Sequence, residues 1–270
     1  MKASSPTPYP ELNVVLAEFV ARLQSTLCGN FLAAYLAGSF AVGDFDEHSD
    51  VDFLVVIEHD LSEAEVEVLQ EMHGLIHGME SGWARHLEGS YFPKVILNDP
   101  AAVRTEKLWY LDNGSRMLIR SLHDNQWVER WMIYHHGIVL FGPPAHVLFA
   151  QLPPGALQRE VSRTMHDWGN EMLKEPGKIS SCWYQSFAVI SYCRMLQTME
   201  TGTIQSKASG VRWALENLDH EWSNLIQRAW DERPDSGAKC RIPVDPDLRA
   251  ATLKFIRIAI DRIPNQSPNT

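Results

Sequence analysis

This 270-residue chain predicts a mixed α/β half followed by an all-helical half, and three observations carry that fold class. Short apolar runs rich in β-branched residues alternate with helical periodicity over the first 150 residues. From about residue 155 onward the periodicity is helical throughout. The charge changes at the same place: residues 1–150 carry 20 acidic and 9 basic side chains, residues 151–270 carry 14 and 15. The reading is a flexible lead-in over 1–10, a mixed sheet with flanking helices over 11–152, a helical bundle over 153–264 and a flexible tail over 265–270.

The first helix is expected over Glu11–Leu27, with Leu12, Val15, Leu16, Phe19, Val20 and Leu23 on one stripe and Gly29 placed to cap it. Phe31–Leu36 fits a buried strand that Gly38-Ser39 breaks. Val51–Ile57 (VDFLVVI) is a second strand. Ser62–Met79 reads as an acidic amphipathic helix, with Ser62 and Glu65 at capping-box spacing. A third strand is expected over Tyr91–Leu97, with Pro93 marking an edge or a strand start. Shorter strands follow near Arg116–Ile119 and Ile138–Phe141. Pro153-Pro154-Gly155 marks the boundary, and helices are expected over Ala156–Leu173, Trp183–Met199, Lys207–Leu218, Glu221–Trp230 and Pro246–Ile263.

Composition narrows the function classes. The net charge of −10 and the lack of a strongly basic half argue against a nucleic-acid partner, because a phosphate backbone calls for a basic face. No apolar run reaches the roughly 18 to 20 residues that span a bilayer, and MKASSPTPYPELN lacks the apolar core of a signal peptide. Cys28, Cys182, Cys193 and Cys240 show no metal-ligand spacing and read as reduced thiols of a cytoplasmic protein.

The chemistry concentrates in Leu36–Val56, LAGSFAVGDFDEHSDVDFLVV. A strand ends in Gly38-Ser39, and a second begins with Asp50-Val51-Asp52. Glycine lets a backbone approach a phosphate closely, and the serine adds a hydroxyl and an N–H. Asp50 and Asp52 stand at i and i+2, so on a strand both carboxylates leave the same face. Two such carboxylates can hold magnesium through oxygen ligands, with a triphosphate completing the shells. Paired metals clamp an in-line phosphoryl displacement. A third carboxylate nearby would take the proton of an attacking hydroxyl.

The pattern Gly38-Ser39 … Asp50-x-Asp52 resembles that of the DNA polymerase beta-like nucleotidyltransferase superfamily. Within it, the chain is similar to the aminoglycoside adenylyltransferases that modify streptomycin and spectinomycin. That resemblance implies transfer of AMP from ATP to a hydroxyl of a small molecule, with Mg2+. It implies Glu88, in Leu87-Glu88, as catalytic base and as a third carboxylate at the metal beside Asp50 and Asp52. It also implies that Arg194 and Lys207, flanking the Thr201-Gly202 turn in SYCRMLQTMETGTIQSK, join Gly38 and Ser39 in holding the nucleotide. The active site is then expected between the two halves. The chain departs from the resistance enzymes at Ser180–Phe187, where no acidic residue stands to meet a polycationic antibiotic.

Candidate residues on the acceptor side are Trp109 and Asp112 in WYLDNG, otherwise a plain turn, and Trp183 and Gln185, otherwise core. His48 sits in the motif loop as a metal-orienting group or a turn residue, and His135-His136 reads as a structural pair. The remaining alternatives are a different acceptor (a metabolite or a protein) or a regulator that binds nucleotide without turnover. A monomer or weak oligomer is expected.

Overall fold

The computed structural model describes residues 5–45, 49–233 and 242–263. The chain divides into two compact units between Leu152 and Pro153. The first unit runs α1 (Pro10–Leu27), β1 (Phe31–Leu36), α2 (Gly38–Val42), β2 (Val51–Ile57), α3 (Glu63–His77), β3 (Leu87–Pro93), β4 (Leu108–Leu111), β5 (Leu118–Ser121), α4 (Trp127–His136), β6 (Ile138–Phe141) and α5 (Ala145–Leu148). Among the described residues, the strands form one six-stranded mixed sheet in the order β5-β4-β3-β2-β1-β6. Strands β2 and β3 are parallel, joined by the α3 crossover, and the other neighbouring pairs are antiparallel.

The apolar stripe of α1 is buried as its spacing demands, with Leu12, Val15, Phe19 and Leu23 fully covered. Helix α3 starts at the capping box: the Glu65 N–H donates to Ser62 Oγ, and the Ser62 N–H donates to the Glu65 carboxylate. Phe19, Leu69 and Ile76 of these helices join Val51, Phe53, Val55, Leu87 and Tyr91 in one core layer. Leu54, Val56, Phe92 and Leu108 pack on the opposite face with Tyr35, Ile133 and Phe149. Strand β2 is thus covered on both faces, so it is a nearly unbroken apolar run rather than an alternating one. Asp52 interrupts it.

Several expectations need correction. The third strand begins at Leu87 rather than Tyr91, so Leu87-Glu88 lies inside it, and it ends at Pro93, followed by a 3-10 turn at Lys94–Ile96. Pro93 marks neither an edge nor a start: β3 lies between β2 and β4, and proline is accommodated where the strand stops. WYLDNG is only half a turn, because Trp109, Tyr110 and Leu111 belong to β4. His135-His136 closes α4, a helix absent from the sequence reading, with both rings against Trp131 at 4.4 and 5.4 Å. The described part of the lead-in is tied down: the Thr7 N–H donates to Asn13 Oδ1, and Tyr9 packs on Phe40, Phe45 and Trp83.

The second unit comprises α6 (Ala156–Lys174), α7 (Cys182–Thr201), α8 (Lys207–Asn217), α9 (Ser223–Asp231) and α10 (Pro246–Asp261). The stretch read as one helix over Glu221–Trp230 divides into a 3-10 turn at His220–Trp222 and α9. Helix α7 is the axis of this bundle and packs against the other four, burying Ala188, Val189, Tyr192, Cys193 and Leu196. Gly210 of α8 lets that helix approach the α7 backbone closely: a Cβ there would stand 2.6 Å from Arg194 Cγ and 2.9 Å from its Cα. Among the described residues no helix is long and apolar enough to cross a membrane. His48, Cys240 and the tail 265–270 lie outside the described residues.

Candidate active site

The site in the first unit is built by strand register. In the parallel pair β2–β3, Asp52 lies opposite Glu88, and in the antiparallel pair β3–β4, Ser90 lies opposite Tyr110. Directly paired residues share a face, and i, i+2 neighbours do too. Asp52, Glu88, Ser90 and Tyr110 therefore stand on one face of the sheet, while Val51, Phe53, Leu87 and Tyr91 point into the α1–α3 core. Asp50 lies one residue ahead of β2, with its Oδ1 accepting a hydrogen bond from Asn113 Nδ2.

Gly38 and Asp52 interlock. Gly38 opens α2 with φ +57°, and a Cβ there would stand 1.7 Å from Asp52 Oδ2 and 2.5 Å from its Cγ. Only glycine leaves room for this carboxylate, and the same residue supplies the left-handed backbone that starts the turn. The Ala37 N–H donates to the Asp52 carbonyl at 2.7 Å, and the Ser39 carbonyl accepts from the Asp44 N–H at 3.0 Å. The residues before and after Gly38 are thus held to β2 and to the end of α2.

Glu88 is half-buried, and its Oε1 accepts a hydrogen bond from the Tyr110 hydroxyl. The same hydroxyl lies 3.2 Å from Asp112 Oδ1. Burial pushes the Glu88 carboxyl above its ordinary range, against the opposing effect of the Tyr110 hydrogen bond and of His123. The negative charges of Asp50 and Asp124 push it further up. Tyr110 is held well above the usual phenol range, by burial first and then by Glu88, so at neutral pH it is a donor. His123 is raised to about 9, chiefly by its hydrogen bond to Asp124, with Nδ1 and Oδ1 at 2.8 Å. Asp124 in turn accepts from Ser90 Oγ at 2.6 Å. Tyr110, His123, Asp124 and Ser90 were not singled out from the sequence. The strand pattern of LWYL was the signal that would have placed Tyr110 beside Glu88.

One acceptor-side candidate, Trp109, does not share this face of the sheet. Trp109 alternates with Tyr110 on β4, so it lies on the α1–α3 face of the sheet, with the Arg120 guanidinium 4.4 Å from its ring centre. Among the described residues, no three His, Cys, Asp or Glu side chains converge as a metal-binding group. Glu88 is turned toward Tyr110. Asp50 and Asp52 have the oxygen donors that could hold a divalent ion, and Gly38 leaves the Asp52 carboxylate room beside the α2 turn.

In the second unit, Gln185 is 2% exposed and its amide donates to Thr252 Oγ1 at 3.0 Å, joining α7 to α10. It is an interior tie between the two helices, pointing into the bundle. Trp183 stacks on Phe187 one turn on, with ring centres 5.3 Å apart and planes 3° apart. The remaining pair brackets the α7–α8 turn. Arg194 Nε donates to the Gln205 carbonyl at 3.2 Å, Gly202 (φ +68°) ends α7, and Lys207 is the exposed first residue of α8. Ser206 caps α8 by accepting from the Ser209 N–H at 3.0 Å.

Comparison with known proteins agrees with this architecture. Residues 17–99 match the nucleotidyltransferase domain model, and residues 148–252 match the model for the C-terminal domain of aminoglycoside adenylyltransferases. The aminoglycoside (3'') (9) adenylyltransferases of Shigella flexneri and Escherichia coli are each 23% identical over 235 residues, covering 81% of this chain and 84% of theirs. A spectinomycin adenyltransferase from Enterococcus faecialis, crystallised with ATP and spectinomycin, shares the fold at a TM-score of 0.66 and 16% identity, over 92% of this chain and 99% of that one. Its mixed sheet and following helical region match the two units described above. With a match to the nucleotidyltransferase domain model in the first unit and to the C-terminal domain model of aminoglycoside adenylyltransferases in the second, the chain is an enzyme of the nucleotidyltransferase type and is similar to the aminoglycoside adenylyltransferases in both units.

Proposed function

We propose that this protein transfers AMP from ATP, with Mg2+, to a hydroxyl of a small molecule, and that the acceptor is an aminoglycoside or aminocyclitol such as spectinomycin or streptomycin. One observation carries the reading: the register that sets Asp52 opposite Glu88, with Gly38 closed against the Asp52 carboxylate. Asp50 and Asp52 would hold the magnesium, which would supply neutralisation of phosphate charge and polarisation of the α-phosphorus for in-line attack. Gly38 and Ser39 meet the triphosphate from the sheet side. Lys207, at an exposed helix start, supplies positive charge for it, and Arg194 keeps the turn ahead of Lys207 in place. Glu88 takes the proton of the acceptor hydroxyl. That oxygen attacks the α-phosphorus, the α–β phosphoanhydride bond breaks, and pyrophosphate leaves. A carboxyl raised by burial suits a base working near neutral pH. Asp112, exposed beside Tyr110, is assigned to the acceptor side, as is Trp183 of the second unit.

Pyrophosphate release from Mg-ATP across a panel of aminoglycosides and aminocyclitols tests the reading. Release with at least one of them, lost in the Asp50→Asn/Asp52→Asn double variant, is expected. A double variant with full ATP-dependent activity would sink the assignment of the aspartates. Mg-ATP binding with no release from any of the panel would move the acceptor outside this chemical class.

A further inference from the structure

The end of β4 is built around the carboxylates that the proposed reaction needs. Tyr110 is 5% exposed, and its side chain leaves the same sheet face as Glu88, one strand away. Its hydroxyl donates to Glu88 Oε1 and lies 3.2 Å from Asp112 Oδ1. The phenol ring is itself braced. His123 lies against it with ring centres 4.8 Å apart and planes tilted 31°, and His123 is tethered through Asp124 to Ser90, the residue paired with Tyr110 across β3–β4. Three residues further along the same segment, Asn113 donates to Asp50.

Glu88 gains from such a brace because a glutamate has three rotatable bonds, and a base must present one oxygen in one place. Among the described residues Tyr110 supplies the hydrogen bond to its carboxylate, on Oε1. That bond occupies Oε1 and leaves the other oxygen for proton transfer. From this geometry we infer that Tyr110, braced by the His123–Asp124–Ser90 chain, is a positioning residue for Glu88 in the transfer reaction. The inference rests on the reading of Glu88 as the base.

The decisive variant is Tyr110→Phe, which removes one oxygen and keeps the ring packed on His123. A crystal structure of this variant is expected to show the Glu88 carboxylate displaced from its parent position, with β3 and β4 in register. Steady-state pyrophosphate release with Mg-ATP and the acceptor found in the panel is expected to show kcat reduced about tenfold to a hundredfold, the range for a hydrogen bond to a charged group. The KM for ATP should be unchanged and the thermal midpoint close to that of the parent. In a Glu88→Gln background, Tyr110→Phe should cost little more, since the side chain it orients is no longer a base. An unmoved Glu88 carboxylate, or a kcat within twofold of the parent, overturns the inference. A loss of kcat accompanied by an equal loss of ATP affinity and a lowered midpoint also overturns it, by marking Tyr110 as a structural residue only. Failure of the base assignment itself is distinguishable: Glu88→Gln would then retain parent activity whatever Tyr110→Phe does.

Discussion

The two units hold their candidate residues in different ways. In the sheet unit, Asp52, Glu88 and Tyr110 come from three strands and meet because register and alternation force them onto one face. In the bundle unit, Gln185, Arg194 and the aromatic pair Trp183 and Phe187 come from a single helix, α7, and point to different sides of it. Gln185 turns to α10, Arg194 to the α7–α8 turn, and Trp183 and Phe187 stack on each other. A strand has two faces, so assigning one residue assigns its neighbours at i+2. A helix packed against four others has no single buried face, and sequence spacing along it does not say which side a polar residue takes.

The largest expected effect that sharpens this contrast is at Gly38. Gly38→Ala would drive a methyl group into the Asp52 carboxylate and force a side chain into a left-handed backbone. Transfer activity should fall by at least about a hundredfold, as for removal of a group that acts on transition-state charge. The circular-dichroism spectrum should remain that of the parent. Retained activity would mean that the Gly38–Asp52 contact is not part of the working site.

Next in size is an effect on stability alone. Gln185→Leu leaves Thr252 Oγ1, which itself donates to the Leu248 carbonyl, without the amide donor. A loss of about 1–3 kcal/mol is expected in denaturant unfolding, as for a buried hydrogen bond left half-made. Turnover parameters should not change. A raised KM for the acceptor with unchanged stability would return Gln185 to the acceptor side and erase the distinction between the units.

The smallest effect is a slope with pH in the core of the sheet unit. His73 is fully buried among Phe19, Phe53 and Tyr91, and burial lowers it to about 3. Its Nε2 meets the Tyr91 hydroxyl at 2.7 Å. Because the unfolded chain binds a proton near pH 6.5 and the native state does not, stability is fully present above that pH. It is lost as pH falls from about 6.5 toward 3, at about 1.4 kcal/mol per unit at most. Unfolding midpoints at pH 7 and pH 5 should differ less in His73→Gln than in the parent. Equal differences would remove His73 as the source.

Much of the fold was legible because the long elements repeat their signals. The stripe of α1, the capping box of α3 and the doubly buried run of β2 each state their own structure. Strand β4 was not legible. Its four residues are followed at once by Asp112-Asn113-Gly114, and the turn signal masked the strand that carries Tyr110 and Trp109 to opposite faces. Helix α4 was missed for a related reason. It is only ten residues long, and buried Arg130 is held by the carbonyls of Ile96 and Leu97 and by Asn125, partners remote in sequence or hidden in a loop. The motif Gly38-Ser39 … Asp50-x-Asp52 was legible as chemistry, whereas the distance of Glu88 from it was not, since that depends on which strand lies next to β2.

That adjacency has a consequence for how such a chain can change over time. Because β2 and β3 are parallel, Asp52 and Glu88 sit at matching levels whatever the length of the connection between them. The excursion through α3 leaves at one end of the sheet and re-enters at the other, so residues can be gained or lost at its exposed turns without shifting either carboxylate. Loss of a single residue within Val51 or Leu87 to the paired carboxylate would instead rotate one of them into the apolar layer. The interval along the chain is free to drift, and the rung they share is not.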